Sequence, residues 1–446
     1  MTMNDDDQSL MCDFLQIINI IGEFENKLFL IQRENDLDFL PKIKTFFDAI
    51  HLKTNFALYE GILHSLSHIS IILNFKGTNN NNPMICIPVL DLLISDYSLK
   101  TTFNKSTLYF IFHNNNLLLL HLYQQQIIDI SLLERLILSH RYQKDFIYFV
   151  PEFYKNDFNF YEQHLKLFRI TEDDILTLYG VNEFNIDMFD KKRKEIHSDE
   201  LIVQIFRQDD LDSFLQYISQ YEQLDLKITI TPCNEITDET INYSVNISLI
   251  DCSILLGALK IFKYLLLNKL KTTEKSMKYA VISGNHEIIH ILEEEFKCEF
   301  NEDSFYSSIK YHQTEITEYI GNIIKPSTKN FIKLCQIFVE TLNFSHLYDD
   351  FQTYLLERTK MSLNFEKFLF QLLDECHIYE SDSFIITALG TIFFSRKNDF
   401  NAMARIPNKY SYTIFHYSCI FGHFELVEFL LKLPEVDVNI TNDIWI

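Results

Sequence analysis

Apolar residues recur every three or four positions along most of the chain, the spacing that lines them up on one face of a helix. Phe14, Ile17, Ile18 and Ile21 follow it near the start, as do Leu132, Leu133, Leu136 and Ile137 further on. Near the end Leu426, Val427, Leu430 and Leu431 form one apolar stripe, while Glu425, Glu428 and Lys432 are left to face water. The pattern predicts an all-α protein. Its β-branched, polar segment Ile228 to Val245 is expected to be a long loop with local strand pairing. Residues 1–8 are expected to form a disordered acidic tail, and residues 9–187 an all-helical N-terminal domain. In that domain Asn79 to Asn82 with Pro83 reads as a polar loop, tolerated because loop length costs little. Val150-Pro151-Glu152 reads as the end of a helical run, and Thr171-Glu-Asp-Asp174 as a capped helix start.

The sharpest local pattern runs from Thr413 to Asp443. Thr413 can cap a helix with its side-chain oxygen, and Gly422 can take the left-handed conformation that ends it and reverses the chain. A hairpin of two helices this short buries too little to fold alone, so it predicts similar neighbours. With Gly422-x-x-Glu425 as a ruler, four weaker copies align at Asp209-x-x-Asp212, Gly257-x-x-Lys260, Gly284-x-x-Glu287 and His312-x-x-Glu315. Each precedes an apolar stripe at helical spacing, such as Ile288, Ile289 and Leu292. Lys260 to Glu287 is 27 positions and Glu287 to Glu315 is 28, while Asp212 to Lys260 is 48, the excess lying in the segment Ile228 to Val245. Residues 325–382 read as degenerate helical repeats. Asn398-Asp399-Phe400-Asn401 echoes Val436-Asp437-Val438-Asn439 at a spacing of 38, which makes Ser383 to Phe394 the hairpin of a penultimate repeat with a long finger from Ala402 to Tyr412. Residues 383–446 are thus expected to hold the C-terminal repeats. The last is uncapped: either the chain continues beyond Ile446, or a partner covers that face.

Thr413 and His416, small Ser418 and Cys419, Gly422-His423, Glu425-Leu426-Val427, Leu430-Leu431 and Val436 to Asn439 together resemble one ankyrin repeat. The departure is Ile414, where proline is usual; this removes some preorganisation but no hydrogen bond. Residues 188–324 resemble an ankyrin-related domain of unassigned function that is expanded in some parasitic protists. Lys191-Lys-Arg193, Leu201 to Tyr217, Ile261 to Tyr264, Glu287 to Glu294, Ser308 to Lys310 and Ile316 to Ile320 carry that resemblance. The resemblances imply a helical N-terminal domain followed by an ankyrin-type α-solenoid of stacked helix hairpins. They also imply a non-catalytic scaffold or adaptor that binds a protein partner on the concave ankyrin surface. In the clear repeat this nominates Asn408, Lys409, Tyr410 and Tyr412 on the finger, and His423 and Phe424 at the hairpin. His416 is expected to hydrogen-bond backbone within the stack.

Composition narrows the classes. The chain of 446 residues holds 40 Phe, 23 Tyr and 47% hydrophobic residues, enough for a large core, with only nine Gly and eight Pro. Helices joined by polar turns suit those counts better than glycine-rich phosphate loops. A formal net charge of -23 repels nucleic acid and anionic membrane, so neither is expected as a partner. The eight cysteines show no C-x-x-C pair and read as small buried hydrophobes in a reducing compartment, with a cytoplasmic location. No basic secretory leader is visible. Leu249 to Leu267, the most membrane-like stretch, is divided by Gly257 and charged at Asp251, Lys260 and Lys263, so it is expected to be a helix hairpin.

No P-loop, G-x-G-x-x-G, G-x-S-x-G, H-E-x-x-H or kinase signature occurs, and no cofactor, catalytic residue or metal site is expected. His64-Ser-Leu-Ser-His68 puts two imidazoles one helical turn apart but lacks a third ligand. It anchors the alternative reading, an enzyme or metal protein with its site in the N-terminal domain. A third reading is a structural solenoid that self-associates through its uncapped end. Glu375-Cys376-His377 would point apart on a helix, and Lys191 to Lys194 reads as a solvated helix start before it reads as a nuclear-import address.

Overall fold

The computed structural model describes residues 5–76, 85–140, 143–179, 181–195, 197, 200–220, 227–229, 246–324, 337, 341, 343, 413–420, 424–433 and 436–440. Helices dominate these residues, and two short strands accompany them. The chain divides into two compact units. One comprises residues 1–70, 84–132 and 327–446, the other residues 71–83 and 133–326.

The first helices are α1 (Asp5–Glu34), α2 (Phe39–Ala49), α3 (Phe56–Lys76), α4 (Cys86–Asp96), α5 (Leu99–Thr102), α6 (Lys105–Phe112), α7 (Asn116–Gln124) and α8 (Ile130–His140). Helix α1 begins at Asp5, inside the segment expected to be a tail. The sequence there opens with Asp5, Asp6 and Asp7, a composition that suits the N-terminal end of a helix as well as a tail. Helix α3, and not the stretch Leu249–Leu267 expected to be the most membrane-like, is long and apolar enough to cross a membrane by length and composition; Leu249–Leu267 forms the helix hairpin expected of it. Its residues are mostly buried inside the protein, and it carries polar groups that a core must satisfy. Ser65 donates to Glu25 at 2.9 Å, and Asn115 donates to the Ser67 carbonyl at 2.7 Å and to Ser70. Burial pushes the Glu25 carboxyl well above the usual carboxylate range, against the opposing effect of the Ser65 hydroxyl.

Next come α9 (Gln143–Tyr148), α10 (Val150–Asn156), α11 (Phe158–Phe168), α12 (Glu172–Tyr179) and α13 (Ile186–Lys192). Pro151 opens α10 instead of closing a helical run, because its missing N–H is one of those a first turn leaves unused. Thr171 caps α12 as expected: its hydroxyl accepts the Asp174 N–H at 3.1 Å, and the Asp174 carboxylate accepts the Thr171 N–H at 2.8 Å. That backbone hydrogen bond holds Asp174 below the usual carboxylate range. The core here is aromatic, with His164 stacked on Phe160 at 3.8 Å and Tyr179 on Phe189 at 4.7 Å.

The hairpins follow: α14 (Leu201–Gln208) with α15 (Leu211–Ile218), α16 (Leu249–Leu255) with α17 (Leu259–Leu267), α18 (Ser276–Ser283) with α19 (His286–Glu294), and α20 (Glu302–Lys310) with α21 (Thr314–Ile323). Between the first two, β1 (Lys227–Thr229) pairs antiparallel with β2 (Asn246–Ser248), Ile228 opposite Ile247. The local strand pairing expected there is thus present. Helix α16 packs on α18 and α18 on α20, while each also packs on its own second helix. All four hairpin corners turn at the ruler residues, Asp209 at φ 48, Gly257 at φ 70, Gly284 at φ 71 and His312 at φ 51. Two are not glycine. A chain this poor in glycine places Asp and His in the left-handed region and offsets the strain by packing. The last described helices are α22 (Ile414–Ile420) and α23 (Phe424–Leu430).

Candidate partner-binding surface

The starts of α16, α18 and α20 are each locked by a polar residue and its partner three positions away, whereas α14 starts at Glu200 with no side-chain cap. Ser248 accepts the Asp251 N–H at 3.2 Å, Ser276 accepts the Thr273 N–H at 2.8 Å, and Asn301 accepts the Ser304 N–H at 2.9 Å. In the last hairpin His416 Nδ1 accepts the Thr413 N–H at 3.1 Å, and the Thr413 hydroxyl lies 2.9 Å from the same nitrogen. His416 Nε2, 2.9 Å from the Ile440 carbonyl, then carries the proton and donates. One neutral imidazole therefore ties the first turn to the backbone 24 residues later, within the last repeat.

Asp251 is the most heavily used of these residues. It is 5% exposed and accepts the hydroxyls of Ser248 at 2.9 Å, Thr273 at 3.0 Å and Ser276 at 2.6 Å, so it joins two successive hairpins. Asp209 does likewise at a corner. Helix α17 starts on Ala258, which has no side chain to cap with, and the Asp209 carboxylate accepts the N–H groups of Lys260 and Ile261 at 2.9 and 3.1 Å. Asn285 donates to the Gly257 carbonyl at 3.3 Å and Gln313 to the Ile282 carbonyl at 3.0 Å, continuing the ladder.

The first helices of these hairpins are sealed. Leu249 to Leu255, Tyr279 to Ile282 and Ser304 to Ile309 are all buried. At 3.6 residues per turn, four in succession go right round a helix, so α16, α18 and α20 have no open side over those spans. Their second helices are one-sided: Ile288, Ile289 and Leu292 of α19 are buried, whereas His286, Glu287 and His290 face water.

Of the nominated contact residues, Phe424 is 50% exposed at the start of α23. Asn408, Lys409, Tyr410, Tyr412 and His423 lie outside the described residues, as does Glu375-Cys376-His377. Glu425 corrects the expectation that it faces water. Its carboxylate accepts the backbone N–H of Asn104 through one oxygen and the Thr107 hydroxyl through the other, the latter at 2.7 Å. Asn104 is the N-cap of α6, and its side chain accepts the Ser106 N–H. In a capping box the residue at N3 returns a carboxylate to the N-cap N–H. Here that residue is Thr107, too short for the task, and Glu425 supplies the carboxylate from 321 residues away.

Residues 410–440 match the family model of the ankyrin repeat. The chain therefore carries an ankyrin repeat at its C-terminal end. Comparison with curated proteins and with solved structures gave no match. The ankyrin repeat is a protein–protein interaction module, and its Thr413–His416 latch is in place.

Among the remaining candidates, His64 lies with its Nε2 3.6 Å from buried Glu60, and the described residues gather no group of three metal-ligating side chains. Lys191 to Lys194 closes helix α13 instead of starting one. Arg193 there is 1% exposed and forks onto Glu152 at 2.5 and 2.6 Å, with Asp190 beside it. Burial opposes the Arg193 charge, but the Glu152 carboxylate holds its pKa above the usual value. Lys192 pairs with Glu195 and Lys194 with Asp190, so this run is a structural knot and not a free basic patch. Of the cysteines, Cys86 and Cys252 are buried as expected, whereas Cys419 is exposed. The Ser248-x-x-Asp251 spacing could have flagged the cap at α16, but not the bonds of Asp251 to Thr273 and Ser276 or those of Glu425 to Asn104 and Thr107, since these partners come from elsewhere in the chain.

Proposed function

We propose that the protein is a non-catalytic adaptor of the cytoplasm that recruits another protein through its C-terminal ankyrin repeat. The observation that carries this is the matched repeat itself, its latch formed and Phe424 half exposed beside it. The free thiols of Cys86, Cys252, Cys298 and Cys419 agree with a reducing compartment. In this proposal the hairpins from residue 201 to 324 form an α-solenoid, and corners of one kind at four successive hairpins with latches at three of them support that reading.

The contact surface is the concave side of the last repeat, with Lys409, Tyr410 and Tyr412 on the finger and Phe424 at the hairpin. Tyrosine and phenylalanine suit it because they bury large area at low entropy cost. Affinity capture with the full chain, repeated with Lys409, Tyr410 and Tyr412 changed to alanine and again with Phe424→Ala, tests the proposal. A partner held by the wild type and lost by both variants is expected. Retention of every captured protein by both removes this surface.

A further inference from the structure

With α16, α18 and α20 sealed, the open surface between residues 246 and 324 includes the outer faces of α17, α19 and α21. The segments that carry these faces differ in sign. Residues 257–283 hold six lysines and one glutamate, whereas residues 286–323 hold nine carboxylates and two lysines. The acidic part also exposes large apolar side chains: Tyr319 is 47% exposed, Ile323 52%, and Phe296, just past α19, 39%. Tyr319 and Ile323 are one turn apart on α21 and share a face. Glu315 and Glu318 on the same helix are exposed, and so are Glu294, Glu295 and Glu299.

The aromatic residue here is held in place. The Tyr319 hydroxyl donates to the Glu293 carboxylate at 3.0 Å, and its ring meets Phe300 edge-on with centroids 5.8 Å apart. A contact residue fixed before binding loses little entropy when a partner arrives.

We propose that the outer face of α19 and α21 docks a basic amphipathic helix of a partner protein, whose apolar side chains lie on Tyr319 and Ile323 and whose lysines or arginines reach the surrounding glutamates. Charge complementarity selects this occupant: an acidic helix meets repulsion and a neutral one gains no attraction from the glutamates. The exposed apolar residue of the lysine-rich neighbour, Leu267 at 83%, offers hydrophobic area with the opposite surroundings and serves as an internal control. This inference rests on the adaptor reading above but uses a different surface.

The test is fluorescence anisotropy of a labelled 18-residue helical peptide, with lysine on one face and leucine on the other, titrated with the full chain. Saturable binding is expected. Tyr319→Ala and Ile323→Ser, which leave net charge unchanged, should each weaken it at least tenfold, whereas Leu267→Ser leaves it as it was. Circular dichroism of each variant confirms the fold, and exposed Ile323 keeps the test valid if Tyr319→Ala disturbs packing. A peptide with glutamate in place of lysine should not bind. Absence of saturable binding to the wild type overturns the proposal, as does equal weakening by Leu267→Ser and Ile323→Ser, which would mark diffuse attraction to an acidic protein. Partner capture through residues 409–424 is read separately, so failure of this surface is distinguished from failure of that one.

Discussion

The ruler position G-x-x-E is filled by Glu287 and Glu425 in two regions of the molecule, with opposite fates. In the hairpin series Glu287 opens α19 and pairs across the surface with Lys263 of the preceding hairpin, its side chain 53% exposed. In the last repeat Glu425 opens α23 at the same place in the sequence ruler, yet is half-buried and completes the cap of α6. One residue type at one place in one motif thus makes a lateral surface pair in the first case and a distant cap in the second. The hairpin dictates where the carboxylate emerges. What lies opposite decides what the carboxylate is worth.

That contrast can be broken at several points. The largest effect is expected in the series, where Asp251→Ala would leave three hydroxyls without their acceptor; a loss of roughly 2–4 kcal/mol is expected in urea unfolding. A loss below about 1 kcal/mol would mean that water replaces the carboxylate easily and that the hairpins do not depend on this joint. Next comes Glu425→Ala, with an expected loss of roughly 1.5–3 kcal/mol, as for hydrogen bonds to a charged acceptor. A double-mutant cycle with Thr107→Val, which is nearly isosteric, should show a coupling of about 1 kcal/mol; additivity would detach the last repeat from α6.

The corners come third. Gly257→Ala and Gly284→Ala both put a side chain at positive φ, at a cost of about 1–2 kcal/mol. A Cβ at Gly284 would also come within 2.5 Å of the Gln313 side chain, whereas at Gly257 nothing lies nearer than 3.9 Å. Gly284→Ala should therefore cost more, and Gln313→Ala should rescue only that excess. Equal costs would show that Gln313 moves aside freely. The smallest effect is expected for Glu287→Ala, under about 0.5 kcal/mol and vanishing at high salt, because exposed pairs gain little in water.

Several features of the fold were legible because they depend on neighbours in sequence. Spacing of three and four gave the helices, and the ruler found all four residues that adopt positive φ at the hairpin corners, including Asp209 and His312 where no glycine marks the turn. Gly257 divides an apolar stretch into two helices because a left-handed residue ends the first. The Pro151 expectation failed for a related local reason: proline is tolerated in a first turn as readily as it ends a helix, and the flanking pattern did not separate the two. Helix α3 was not singled out as the most membrane-like stretch. Its polar Glu60, Ser65 and Ser67 are buried with their apolar neighbours, and amphipathic spacing says little about a helix covered on all sides.

By itself, then, the sequence determined what short-range physics controls: helix faces, caps, corners and the identity of the last repeat. Only the tertiary structure decided which polar groups on those helices stay wet. Asp209, Asp251, Arg193 and Glu425 all look like surface residues when read along the chain, yet each finds donors or acceptors brought up by folding. A hydrogen bond spanning 51 or 321 positions leaves no periodic trace, because its geometry depends on how whole helices pack and not on the residues beside it.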